Sequence, residues 1–321
     1  MNTRLIAIAL LTFLPFSNCA GEENSILGDW AIITPTGEAA WLSVSMENGK
    51  PHAELMWAVG GVRVISDFLL EGSRLAFDRK RKGNPQTFEF SAEGEQLSGV
   101  LTSFDKLRLS NLSRQKFTGK RMPPLPPKPD LSKIKFGPKQ VLFNGEDLTG
   151  WKVTDKSKKN GWSVKNGVMV NDTPKTDFSA YGDHANLRTE KEFEDFRLHI
   201  EFQPPSGGNS GVYLRGMYEV QVVDRDSKMQ GLQGVGSIFG RIKAIENAGK
   251  PGGEWNVYDI TLVDRHVTVV LNGETVIDNQ PVAGPTGGAI QSDVTKPGPI
   301  YLQGDHTSVK YRNIWIEPVV K

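Results

Sequence analysis

The sequence predicts an all-β chain, with a jelly-roll-type β-sandwich in its C-terminal half and a small antiparallel β meander before it. Three observations carry this. Short runs rich in Val, Ile, Thr, Phe and Trp recur along most of the chain, the pattern of half-buried strands. Turn signals such as Glu47-Asn-Gly-Lys-Pro51 and Lys82-Gly-Asn-Pro85 separate them, and glycine (34) and proline (19) are both enriched in the 321 residues. Long amphipathic helical patterns are missing.

The elements follow in order. Arg4 precedes an apolar run, Leu5 to Phe16, too short to span a bilayer comfortably, and small residues follow around Cys19 and Ala20. Residues 1–20 read as an export signal. Cleavage before Cys19 would leave a cysteine for lipid attachment, as in an outer-membrane lipoprotein. The expected location is therefore outside the cytoplasm, periplasmic or secreted. Cys19 is the only cysteine, so no disulfide framework or cysteine-based zinc site is expected.

Residues 25–119 hold eight strand candidates spaced by about 10–12 residues, a meander able to close into a small barrel. Gly28-Asp29-Trp30 resembles the opening of small lipocalin-like barrels. His52 is the only histidine in this stretch and no chemical motif stands out, so an accessory or interaction role is expected. Residues 120–140 contain Pro123-Pro-Leu-Pro-Pro127 and read as an extended, semi-rigid linker. From 141 to 319 strand candidates recur about every 15 residues, which argues for two packed sheets.

A formal net charge of +1 gives no reason to expect nucleic acid or an anionic membrane surface as partner. No transmembrane span is expected in the mature chain. Gly234-Val-Gly-Ser-Ile-Phe-Gly240 lacks the following helix of a dinucleotide site.

Alternation decides which side chains share a face. In Phe196–Gln203, Leu198, Ile200 and Phe202 form an apolar side opposite His199, Glu201 and Gln203. In Tyr218–Val223, Glu219 and Gln221 oppose Tyr218, Val220 and Val222. In Val212–Arg215, Tyr213 and Arg215 oppose Val212 and Leu214. If these strands are neighbours, His199, Glu201, Tyr213, Arg215, Glu219 and Gln221 converge on one patch. A solvated sheet face would also be polar, but would be richer in Lys, Thr and Ser. Here Gly207-Gly-Asn-Ser-Gly211 brings Asn209 and three glycines beside the patch, allowing close approach to a ligand. Farther on, Tyr301 and Gln303 alternate with Ile300 and Leu302, and Asp305-His306 follow at the strand end. A histidine so placed is a candidate proton donor or acceptor. His184 is a second loop candidate; His266 reads as a hairpin residue. Trp255 is a candidate platform for a sugar ring.

Several phrases carry a resemblance. They are Leu142-Phe-Asn-Gly-Glu-Asp-Leu-Thr-Gly-Trp151, the run from Asn186 to Phe202, Gly207 to Gly216, Tyr218 to Asp224, Gly249 to Leu262, Leu271 to Asp278, and Gly298 to Pro318. In this order and over about 141–318, they resemble the 3-keto-disaccharide hydrolase family. The resemblance implies a concanavalin-like jelly roll with a concave sugar-binding sheet. It also implies action on glycosides already oxidised at the sugar 3-position, with a 3-dehydrogenating sugar oxidoreductase elsewhere in the pathway.

For such a substrate the ketone acidifies the C2 proton, so the expected chemistry is proton abstraction at C2, elimination at C1 and hydration. Glu201 or Glu219 is the candidate base, Arg215 the candidate electrophile, and His306 or Asp305 the candidate acid. His199, Tyr213, Gln221, Asn209, Trp255, Gln303 and Asp305 are candidate substrate contacts. Glu219, Asp224 and His306 are candidate ligands for a divalent metal, although no HxH or HExxH spacing is present. Two alternatives stand beside this reading: a non-catalytic carbohydrate-binding module, and a conventional two-carboxylate glycosidase. The second is disfavoured by Gln221. Laminarinase-type jelly rolls carry Glu-x-Asp-x-x-Glu on one strand, whereas Glu219-Val-Gln221-Val-Val-Asp224 has an amide in the middle.

Overall fold

The computed structural model describes residues 26–80, 85–104, 112–174 and 183–320. The expected export signal, with Cys19, lies outside the described residues. Among them the regular secondary structure is all strand apart from short 3₁₀ turns at Leu131–Lys133 and Gly231–Gln233.

The first sheet comprises β1 (Gly28–Ile33), β2 (Ala39–Glu47), β3 (Lys50–Trp57), β4 (Arg63–Val64), β5 (Leu69–Glu71), β6 (Arg74–Arg79), β7 (Gln86–Glu93), β8 (Gln96–Phe104) and β9 (Leu112–Arg121). Its order is β4-β3-β2-β1-β9-β8-β7-β6-β5. Every pairing is antiparallel, and β1 pairs with the last long strand, β9. The sheet thus curls toward a barrel that is open between β4 and β5. Trp30, Ile32, Leu42, Phe88, Phe90, Leu97 and Phe117 fill its interior. Phe88 stacks between Phe77 and Phe90, at centroid distances of 5.0 and 6.1 Å.

The remaining strands are β10 (Gln140–Val141), β11 (Trp151–Val153), β12 (Trp162–Lys165), β13 (Val168–Asn171), β14 (Leu187–Thr189), β15 (Phe196–Gln203), β16 (Asn209–Leu214), β17 (Tyr218–Val223), β18 (Asn256–Val263), β19 (His266–Leu271), β20 (Glu274–Pro281), β21 (Tyr301–Leu302) and β22 (Val309–Pro318). They build two packed sheets. One runs β12-β13-β22-β15-β18-β19-β20, with β10 also on β22; the other runs β11-β14-β21-β16-β17. Leu198, Ile200, Phe202, Tyr258 and Ile316 from the first meet Val212, Leu214, Val220, Val222 and Leu302 from the second, all fully buried. This is the expected jelly-roll sandwich, an all-β fold.

The first sheet also packs on the sandwich, through its other face. Alternation divides β1–β3 between two cores: Trp30, Ile32 and Leu42 point into the barrel, while Ala31, Trp41 and Met56 join the sandwich core. Strands buried on both faces read as near-continuous apolar runs, as Ala39–Val44 does. The proline-rich stretch is tied down as well: Arg265 donates to the Pro123 carbonyl at 2.9 Å, and Asn279 donates to that of Pro129 at 2.9 Å.

Candidate active site

The five-stranded sheet carries the site. Tyr213 on β16 pairs with Glu219 on β17 and with Tyr301 on β21. One step along, Gly211 pairs with Gln221, and the Gln303 backbone N–H donates to the Gly211 carbonyl at 3.0 Å. Two rows therefore lie on one face: Tyr301, Tyr213 and Glu219, then Gln303, Gly211 and Gln221.

Gly211 is what lets the rows interlock. A Cβ there would stand 2.2 Å from Glu219 Oε1, so the carboxyl folds over the bare backbone of the neighbouring strand. It is flanked by the side chains of Gln221 and Gln303, both buried. Gln221 donates through Nε2 to Asn209 Oδ1 at 3.1 Å. The Oε1 atoms of Gln221 and Gln303 are buried with no partner in the protein. Buried acceptors left open are costly, and two of them beside one carboxyl fit the hydroxyl donors of a sugar.

Glu219 is 3 % exposed. Burial, reinforced by the charge of Asp305, pushes its carboxyl up to about 8, while a hydrogen bond with Tyr213 opposes the rise. Asp305 acts electrostatically on Tyr213 and Tyr301 too, and its Oδ1 lies 2.5 Å from His306 Nδ1. The two are partly exposed, at 15 % and 18 % of their side chains. The face thus joins a buried, proton-holding carboxyl to a half-open acid–histidine pair. Glu219, Tyr213, Gln221, Asn209, Gln303, Asp305 and His306 are brought together.

His199, Glu201 and Trp255 are not. Between β15 and β16 the chain passes Pro204-Pro205 and two glycines, Gly207 and Gly208, and crosses to the other sheet. The polar face of β15 is therefore the outer face of the eight-stranded sheet. There His199 Nδ1 lies 2.7 Å from Asp259 Oδ1, with its ring stacked 4.9 Å from that of Trp315. Glu201 accepts from Arg312 at 2.7 Å and from Asn313 at 3.0 Å. Burial raises the Glu201 carboxyl, but these bonds, with the charges of Arg312 and His199, bring it below its ordinary value. Trp255 sits under the Arg312 guanidinium, 4.0 Å from the ring centroid.

Arg215 also departs from expectation. It follows the last residue of β16 and has a left-handed backbone, φ 57°, as does Gly216, φ 62°. Both belong to the hairpin turn, so strand alternation does not apply. Its buried guanidinium donates to the carbonyls of Val294 and Lys296. Asp224 likewise serves its own turn, accepting from the backbone N–H groups of Gly207 (2.7 Å) and Asp226 (3.0 Å). The candidate metal set Glu219, Asp224 and His306 is not a cluster. Among the described residues no group of three His, Cys, Asp or Glu side chains is arranged to hold a metal ion. His184 bridges to Lys159, with a buried Nδ1 that has no partner. His266 Nδ1 lies 2.9 Å from its hairpin's Asp264 carbonyl.

Gly211 and Thr286 are the residues that strand reading passes over. Thr286 Oγ1 accepts from the Glu219 backbone N–H at 2.9 Å, and its own N–H donates to the Met217 carbonyl at 3.0 Å. In sequence it sits in Gly284-Pro-Thr-Gly-Gly288, where the visible signal is only a loop.

Residues 138–317 match the model of the 3-keto-α-glucoside-1,2-lyase-like domain. A 3-keto-disaccharide hydrolase of Bacteroides thetaiotaomicron is 25 % identical over 165 residues, 43 % of this chain and 57 % of that relative. The chain thus spans a little over half the relative's length. Among solved structures, a candidate glycosyl hydrolase of Parabacteroides distasonis shares 22 % identity over 57 % of this chain and 94 % of its own, with a TM-score of 0.46. Porphyranase B of Zobellia galactanivorans shares 10 % over 62 % and 98 %, with a TM-score of 0.35. These structural likenesses are distant.

Proposed function

The chain belongs to the 3-keto-α-glucoside-1,2-lyase-like family, and we propose that it cleaves glycosides already oxidised to a ketone at C3. The observation that carries this is Glu219: a buried carboxyl held protonated up to about pH 8, set between two open amide acceptors. A carboxylate so desolvated is a strong base once formed, and its value lies near working pH. A binding module has no use for such a group.

In this reading the Glu219 carboxylate takes the C2 proton and the electron pair moves onto the C3 oxygen. As the ketone re-forms, the C1–C2 double bond forms and the C1–O bond breaks. The leaving oxygen takes a proton from His306, which Asp305 orients. Water then adds at C1 and C2 regains a proton, which completes net hydrolysis. With Arg215 committed to two backbone carbonyls, Tyr301 is the candidate donor to the C3 oxyanion. Gln221 and Gln303 accept from sugar hydroxyls. Conventional two-carboxylate cleavage needs a second acid about 5–9 Å from the first; on β17 that place holds the amide of Gln221, and the acid that acts on Glu219, Asp305, is paired with His306. The expected export signal would place this activity outside the cytoplasm, where disaccharides are met.

The test is a 3-keto-glucoside carrying deuterium at C2, incubated with the mature protein. The expected results are cleavage, a primary isotope effect and, in D₂O with unlabelled substrate, deuterium at C2 of the product. Equal rates on the unoxidised glycoside, or no isotope effect with no exchange, would refute the proposal.

A further inference from the structure

Asp305 and His306 stand on a loop, since β21 ends at Leu302 and β22 begins at Val309. Among the described residues no backbone–backbone hydrogen bond holds residues 304–307. Side chains hold them instead, and one of these spans the acid–histidine pair. Asn171, the last residue of β13, is fully buried. Its Nδ2 donates to the Gly304 carbonyl at 2.9 Å and to the Thr307 carbonyl at 3.0 Å. An amide nitrogen has two hydrogens, so both are spent on the two residues that flank Asp305 and His306. The other end of the amide is fixed as well. Thr173 Oγ1 donates to Asn171 Oδ1 at 3.0 Å, and Gly161 makes room, because a Cβ there would stand 2.7 Å from that oxygen. Gly304 N–H donates to Asn186 Oδ1 at 2.6 Å, and Asn209 N–H donates to Thr307 Oγ1 at 2.9 Å.

The backbone beside a proton donor sets where the donor stands. A general acid must lie within hydrogen-bond reach of the leaving oxygen, and a misplacement of about 1 Å can cost about 10²-fold in rate. We propose that Asn171 is a positioning residue for the Asp305–His306 pair: its amide clamps both ends of their loop and so holds the His306 ring where the departing C1 oxygen can take its proton. The contact of His306 Nδ1 with Asp305 Oδ1 fixes the ring from the side-chain end, and the Asn171 clamp fixes it from the backbone end. Being fully buried on the eight-stranded sheet, Asn171 acts only through the loop. The inference rests on His306 being the acid of the proposed cleavage.

The test compares leaving groups. A nitrophenyl 3-keto-glucoside releases a stable phenolate and needs little help from an acid, whereas a 3-keto-disaccharide releases an alkoxide and needs a proton as it leaves. The quantity read is kcat on the disaccharide divided by kcat on the nitrophenyl substrate, in the full chain. Asn171→Ala removes both donors and adds no charge. Thr173→Val keeps its shape, frees the amide's other end, and serves if Asn171→Ala does not fold. His306→Ala should lower the ratio by about 10²-fold, and Asn171→Ala by about tenfold in the same direction, with Thr173→Val lowering it less. A merely structural role would depress both substrates together and leave the ratio where it was. An unchanged ratio in folded Asn171→Ala, or in Thr173→Val where that variant must stand in, would overturn the proposal while a lowered ratio in His306→Ala kept the acid assignment. An unchanged ratio in His306→Ala would refute the acid assignment, and the proposal with it.

Discussion

The two outer faces of the sandwich are built from the same residue types and do opposite things with them. On the eight-stranded sheet, Glu201 is held by Arg312 and Asn313, His199 by Asp259, and Arg197 by Glu317. The groups are solvent-accessible and mutually paired. On the five-stranded sheet, Glu219, Gln221 and Gln303 are buried, and the amide oxygens have no partner. Polarity alone does not distinguish a site from a surface. Two unsatisfied acceptors gathered with a buried carboxyl do, since a bound ligand can relieve that costly arrangement; single buried atoms without a partner, such as Gln86 Oε1 and Trp41 Nε1, also occur away from this face.

The sharpest way to break this comparison is to neutralise one carboxylate on each face. Glu219→Gln should lower kcat on a 3-keto-glucoside by about 10²–10⁴-fold, whereas Glu201→Gln should leave it within about twofold. Steady-state kinetics on both variants decides, and equal losses would erase the distinction.

The same pair should diverge in stability against pH. Glu219 carries a proton in the folded state up to about 8, against 4.5 for the ordinary carboxyl. A raised folded value helps stability fully below the unfolded one, and that help is lost as pH rises through the folded one. Wild type should therefore lose up to about 1.4 kcal/mol per pH unit across this window relative to Glu219→Gln. Melting temperatures should coincide near pH 4 and favour the variant increasingly up to pH 8. For Glu201 the folded value is lowered, so its smaller contribution is present above the ordinary value and fades on acidification.

Replacing the open acceptors sharpens the contrast further. Gln303→Leu should raise KM about tenfold, the worth of one hydrogen bond to a sugar hydroxyl, without lowering the melting temperature; Gln221→Leu should raise KM likewise but lower the melting temperature, because it also loses the bond to Asn209. The smallest effect is expected on the back: Glu201→Ala should cost under about 1 kcal/mol in denaturant unfolding and nothing in KM.

Much of this was legible in the chain itself. Period-two alternation identified the apolar sides of β15, β16 and β17, and those residues fill the inter-sheet core. The pairing of Tyr213, Glu219 and Gln221 on one face also follows from alternation plus a short hairpin. What alternation does not contain is which sheet a strand joins. His199 and Glu201 share a pattern with Glu219 but leave the site because the chain switches sheets across Pro204–Gly208. Arg215 leaves the strand pattern for a different reason: two left-handed residues end the strand there, and Arg-Gly lacks the Asn or Asp that usually announces such a turn.

The sequence by itself determined the all-β class, the face each strand buries, and the identity of the chemical groups, because side-chain period and residue type are local properties. The tertiary structure alone decided which groups meet. It folded Glu219 over Gly211, left Gln221 and Gln303 open, and tied the loop of Asp305 and His306 to Asn171. Those outcomes depend on desolvation and on backbone approach between segments far apart in the chain, and neither is a property of any short stretch.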